Sequence, residues 1–261
     1  MKIIFSIIFA FITFQSNSQN SKFIEYKLTQ LSDKQDKTFI HSEDFKLNFN
    51  DVISEFYSQT LHVRDSIRKN SAGEFSLNGS YKVINPMVPR KMTHEEIFVD
   101  VKKLEVLKSE KNKYGIFVIK EKKPIIWSIS DESLIVLDKK CQKATATFKG
   151  RNWEVWFTNE IPVSLGPWKL VGLPGMILKA SDDKKEVIFE ATKISEVSNV
   201  PIQFPRKFEN IKSEKALREL IQTYDENPDL APSDIAMVKG KLIKKGDKNP
   251  KPITNPIELE E

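Results

Sequence analysis

From Ser21 onward, apolar and polar residues alternate along much of the chain. In SKFIEYKLTQ, Phe23, Glu25, Lys27 and Thr29 alternate with Lys22, Ile24, Tyr26 and Leu28, so one face is largely apolar, the period-two signature of a half-buried strand. FKLNF follows at 45–49, then an Asn-Asp turn and VISEFYS. Residues 59–69 set Leu61, Val63 and Ile67 among charges and read as a helical turn or an exposed loop. Residues 70–90, with NSAGEF, NGS and NPMVPR, form the loosest stretch. THEEIFVDVKKLEVL gives two answers. Thr93 and Glu96 make a capping box, whereas Ile97, Val99 and Val101 alternate with β-branched chemistry. The alternation favours a strand.

The centre is more regular. YGIFVIK and PIIWSIS, separated by EKK, predict a hairpin, and SLIVLD follows an SDE turn. CQKATATF, a KGRN turn and NWEVWFT come next, with Trp153, Val155 and Phe157 facing one way and Glu154, Trp156 and Thr158 the other. MILKA and KEVIFEATKI flank SDDKK as another hairpin. One helix is clearly signalled in SEKALRELIQTY. Ser213 is its N-cap, Ala216, Leu217, Leu220, Ile221 and Tyr224 fall at helical spacing, and Asn227-Pro228 stops it. The pattern predicts a mainly β (α+β) fold: a single curved antiparallel meander with this C-terminal amphipathic helix packed on it.

GPWKLVGLPGMIL, residues 166–178, breaks the rhythm. Pro174 and Gly175 occupy the central positions of a type II turn, in which Gly accepts a positive φ. Pro cannot donate to a ladder, so Pro167 and Pro174 belong at bends or edges. The expectation is a strand that folds over at Gly172–Gly175 and re-enters the sheet as MILKA. Trp168 is then left between the bends to plug one end of the sheet.

Composition and charge change this picture only at the ends. Lys2, the apolar run Ile3–Phe14, and Ser16 and Ser18 before Gln19 have the layout of a secretory signal peptide over 1–18, with a retained anchor helix as the alternative. A β-rich domain is expected over 19–238 and a basic, Pro-rich tail over 239–261, where six Lys face one Asp between Lys239 and Lys251. The net charge of +5 reads as solubility rather than nucleic-acid binding. No segment of the mature chain is apolar and long enough to span a membrane as a helix. Cys141 is the only cysteine, which rules out an intrachain disulfide, and its place on an alternating stretch favours a buried thiol over a nucleophile.

The block from Cys141 to Ala180 resembles the signature of the GLPGLI family, exported proteins of Bacteroidetes-type bacteria. The naming motif reads Gly172-Leu173-Pro174-Gly175-Met176-Ile177 here, with Met in place of the second Leu. Trp127, Cys141, Lys143-Ala144, Gly150-Arg151, Trp156-Phe157-Thr158, Ile161-Pro162 and Gly166-Pro167-Trp168 also match, and Asn255-Pro256-Ile257-Glu258-Leu259 is similar to a closing motif. The resemblance implies export and a β-rich domain. It carries no activity, because the function of that family is unknown.

Chemistry is sparse. His41, His62 and His94 lie in separate segments without metal-ligand spacing, and no nucleophile elbow or phosphate loop is present, so no metal or cofactor is expected. Acidic pairs such as Asp131-Glu132 and Asp182-Asp183 fall in expected turns. The candidate ligand or partner groove is Arg151, Trp153, Trp156 and Trp168. This reading makes the chain an exported envelope protein, periplasmic, outer-membrane associated or secreted. It is expected to be monomeric and non-catalytic, and to hold an apolar ligand or an envelope protein partner. The alternative is a hydrolase assembled from distant residues such as His41, Asp131 and Glu160.

Overall fold

The computed structural model describes residues 21–63, 93–121, 123–198, 202, 204–227 and 255–259. The signal-peptide layout, the loose stretch at 70–90 and the lysine-rich part of the tail lie outside these residues.

Among the described residues, twelve strands form one sheet that does not close, β1 (Ser21–Leu31), β2 (Ile40–Phe49), β3 (Ile53–Ser58), β4 (Glu95–Asp100), β5 (Glu105–Asn112), β6 (Gly115–Lys120), β7 (Ser128–Val136), β8 (Lys139–Phe148), β9 (Arg151–Thr158), β10 (Met176–Asp182), β11 (Val187–Ser198) and β12 (Glu209–Ile211). The order is β12-β6-β5-β4-β3-β2-β1-β11-β10-β9-β8-β7. Two meanders, β1 to β6 and β7 to β11, are therefore sewn together by the long-range antiparallel pair β1–β11, whose register runs Tyr26↔Ala191 and Leu28↔Phe189. The sheet is mixed rather than wholly antiparallel, because β12 returns parallel to β6.

Two local expectations change and a third is met. YGIFVIK and PIIWSIS are not a hairpin: β6 pairs with β5 and β12, while β7 pairs with β8. The SDE stretch does not end a strand, since Ser128–Val136 runs through it with a register shift between Ile129 and Ser133. The THEEIFVDVKKLEVL stretch supplies β4 and β5, so alternation wins over the capping box. Residues 59–63 are helical.

The alternation read from sequence sets the core. Ile24, Tyr26 and Leu28 on β1 meet Leu47, Phe45 and Glu43 of β2, and the aromatic residues are almost fully buried. Phe45 and Phe56 stack at 4.8 Å, and Phe189 meets Phe56 edge-on at 6.1 Å. The C-terminal helix α1 (Glu214–Glu226) starts at Ser213, whose hydroxyl accepts from the Ala216 N–H, and ends at Asn227. Its buried Leu217 clusters with Phe117 and Ile119 of β6.

The Gly/Pro segment is a connection between neighbouring strands β9 and β10 rather than a bend within one strand. Residues 159–175 leave the ladder and hydrogen-bond to themselves, with Gly172 N–H donating to Ser164 O and Leu170 N–H to Pro167 O. Gly172, at φ +101°, takes the left-handed conformation; Gly175 does not. A β-carbon on Gly175 would lie 2.2 Å from the Thr158 carbonyl oxygen, and one on Gly166 2.6 Å from that of Leu170. Close approach, not a type II turn, fixes glycine at these two positions. Leu165, Leu170 and Leu173 are sealed into the core by the same tight course.

Candidate functional site

A cavity of about 560 Å³ opens on the face that carries Phe45 and Phe56. Strand registers explain its two characters. Gln30, next to last in β1, lies opposite His41 near the start of β2, and Glu95 starts β4 opposite Glu110 near the end of β5. These polar residues share one rim, and the apolar side chains Phe45, Phe56, Ile97 and Phe189 line the cavity further along the strands. Trp168 from the β9–β10 connection, Glu214 and Arg218 of α1, and residues 256–259 also line it.

Two polar clusters sit at the rim. Glu43, on the same side of β2 as His41 and Phe45, accepts from His41 Nε2 at 3.0 Å. Its carboxylate also accepts from the Ser58 hydroxyl and from the Thr93 N–H and hydroxyl. Burial, the largest single influence, pushes the Glu43 carboxyl up, but these donors together outweigh it and hold the group below the usual carboxylate range. In the second cluster, Lys108 Nζ lies 3.1 Å from Glu95, 3.4 Å from Glu110 and 2.8 Å from Glu214 at the start of α1. Burial alone would lower the Lys108 ammonium; the three carboxylates overcome this and raise it. The pair Lys108–Glu214 also ties the helix to the sheet.

The sequence-predicted groove residues separate. Trp153 is 1% exposed, donates to the Phe148 carbonyl and lies 5.7 Å from the Trp168 ring. Trp168 itself takes φ +56°, an uncommon conformation for so large a side chain. Trp156 occupies the other side of β9, with Lys143 Nζ 5.8 Å from its ring centre, and does not join the cavity. Arg151 follows the two-residue turn Lys149-Gly150, in which both residues have positive φ, as a tight hairpin requires. Its guanidinium is spent within the protein on Asp182, Glu186, Asn255 and the carbonyls of Pro256 and Ile257, leaving no donor for a ligand. Cys141 is buried, and burial pushes its thiol up to about 11, so it carries no thiolate at neutral pH.

Of the distant triad, only His41 lines the cavity. Asp131 is on the exposed edge strand β7, and Glu160 is held by the Lys139 ammonium and the Lys140 N–H. His41 and His94, far apart in sequence, do line the same cavity. The Phe45–Phe56 wall also escaped sequence reasoning, which placed the two residues only within the extended segments FKLNF and VISEFYS. Among the described residues, no group of three or more His, Cys, Asp or Glu is placed to hold a metal ion. No helix of the described residues is long and apolar enough to cross a membrane.

A family model described as a protein of unknown function, Porph_ging, matches residues 79–179, which include most of the signature block. No curated protein matches. Among solved structures, the chain is similar to PNGF-II in space group P21, with TM-score 0.53 and 16% identity over 78% of this chain and 33% of that one. PNGF-II in space group C2 gives TM-score 0.54, again at 16% identity. The chain thus spans about a third of the length of these structures, covering 33% of each, and the likeness is one of fold.

Proposed function

We propose that this chain is an exported, non-catalytic carrier domain whose cavity receives an apolar body with a polar, hydrogen-bonding end. The observation that carries the reading is the two-character lining, in which stacked Phe45 and Phe56 lie deeper than His41, Glu95 and Glu110. Export rests on the leader-like layout of residues 1–18, and the signature block is assigned to the GLPGLI family on the residues quoted above.

A carrier needs a concave surface, and chain reach supports one. β6 and β7 stand ten strand positions apart, about 48 Å in a flat sheet. Only residues 121–127 connect them, a reach of about 28 Å. Lys149, in the β8–β9 turn, also lies 3.0 Å from Glu121 just beyond β6. A sheet that curls on itself meets both requirements. Native mass spectrometry of the protein released from its host envelope tests the reading. A co-purified amphiphile of defined mass is expected; only apo protein from every preparation would count against it.

A second reading, an acid–base site, is favoured by one observation: His41 is oriented by the buried carboxylate of Glu43 at the cavity rim. Turnover of a panel of small esters that disappears in His41→Ala would support it. An inactive wild-type chain would remove it.

A further inference from the structure

The structure assigns residues 255–259 to a peptide-binding groove, and we infer that they act there as a detachable ligand in cis rather than as part of the core. Expected from sequence as the end of a solvated tail, this Asn-Pro-Ile-Glu-Leu segment crosses the end of β1, the β8–β9 turn and the β10–β11 turn.

The groove reads Asn255 completely. Its side-chain amide donates to Leu31 O at 2.8 Å and Glu186 Oε2 at 3.0 Å, while its side-chain oxygen accepts from Arg151 Nη2 at 2.7 Å. Its backbone N–H donates to Ser32 O, and its carbonyl accepts from Gln30 Nε2. Arg151 then clamps the next two carbonyls, those of Pro256 and Ile257, at 2.6 and 2.8 Å. Glu258 sits between Lys169 and Lys149, and the Leu259 N–H donates to Lys149 O. Aspartate at 255 would replace the amide nitrogen and both its donors with one carboxylate oxygen facing a carbonyl and a carboxylate.

Two features make the site a preorganised receptor. First, the segment is only partly enclosed: Asn255 is buried and Ile257 packs against the core, but Pro256 is exposed and Leu259 is 41% exposed. Second, every cation that grips it keeps a carboxylate when the segment leaves. Arg151 retains Asp182 at 2.6 Å and Glu186 at 3.3 Å. Lys149 retains Glu121 at 3.0 Å, and Lys169 retains it at 3.6 Å. Departure therefore leaves each cation within 4 Å of a carboxylate, with Lys149 and Lys169 sharing Glu121, and softens the usual penalty for breaking such a contact. Release would also remove residues 256–259 from the cavity wall, but the receptor assignment holds whatever the cavity binds.

The test uses the full chain and a labelled peptide spanning residues 253–261, read by fluorescence anisotropy. The Asn255→Asp chain is expected to bind this peptide saturably, and wild type, already occupied in cis, at least about tenfold more weakly. A peptide with Asn255→Asp should bind neither. Hydrogen exchange on wild type gives an independent measure, with the Asn255 and Leu259 amides expected to exchange by local opening, well ahead of Tyr26 in the core. Three results would overturn the inference: a folded Asn255→Asp chain that refuses the native peptide, equal binding of both peptides, or loss of the fold on that substitution. Exchange of the Asn255 and Leu259 amides only through global unfolding would overturn it as well.

Discussion

The α-carbon of Gly175 faces the backbone of Thr158 so closely that a β-carbon built on it would lie 2.2 Å from the Thr158 carbonyl oxygen. Gly172, three residues earlier, has room for a β-carbon, with Trp127 Nε1 3.7 Å away, but takes φ +101°. The two glycines of the motif thus answer different constraints. Gly175→Ala must displace backbone and is expected to cost about 3 kcal/mol. Gly172→Ala meets only conformational strain, about 1–2 kcal/mol. Urea unfolding of both variants checks the order, and equal losses would contradict it.

Arg151 is 3% exposed and neutralises Asp182, itself 1% exposed. Arg151→Ala leaves that carboxylate buried without its cation, and a loss of about 3–5 kcal/mol is expected. Asn255→Ala removes a neutral partner and should cost far less, about 1–2 kcal/mol. Denaturant midpoints of the two variants separate an anchor of the fold from a contact with a detachable segment.

Glu55 is buried on β3, and burial, then the nearby Glu96 carboxylate, pushes its carboxyl up to about 7 against the opposing pull of His62. In the native state it therefore binds a proton between its ordinary range and neutrality, where the unfolded chain does not. Stability is undiminished below the unfolded value and falls as pH rises toward 7. Glu55→Gln is expected to leave stability unchanged near pH 4 and to raise it by about 2–3 kcal/mol near pH 8. Melts at the two pH values measure the difference.

Glu258 moves the other way. Burial pushes its carboxyl up, but Lys169 and Lys149 hold it below the ordinary carboxylate range. Its contribution is present above the unfolded value and is lost as pH falls through the depressed one. The Leu259 amide, bonded to Lys149 O, should exchange faster, relative to the core, under acid conditions. Glu258→Gln should abolish that pH dependence.

Local order was legible where a single physical signal decided it. Alternation placed Ile24, Tyr26 and Leu28 on one face, and Ser213 with its apolar spacing placed the helix. What failed was non-local. Nothing in the spacing of Tyr26 and Ala191 announces that they are neighbours, so the joining of two meanders was invisible. Arg151 read as a groove residue because its partner Asn255 lies 104 residues away. Gly175 read as a turn glycine because composition does not reveal the backbone beside it. The cavity shared these limits: Phe45 and Phe56 were legible as members of extended segments, but not as a wall facing His41 across strand ends.

The most direct test of the carrier reading is a titration with a dansyl-labelled undecanoic acid, exciting tryptophan and reading energy transfer from Trp168, whose ring lines the cavity. Saturable binding of one molecule per chain is expected. Affinity should fall by about tenfold or more in Ile97→Trp, which fills the cavity while leaving the rim intact. No saturable binding, or equal binding by a folded Ile97→Trp variant, would contradict it.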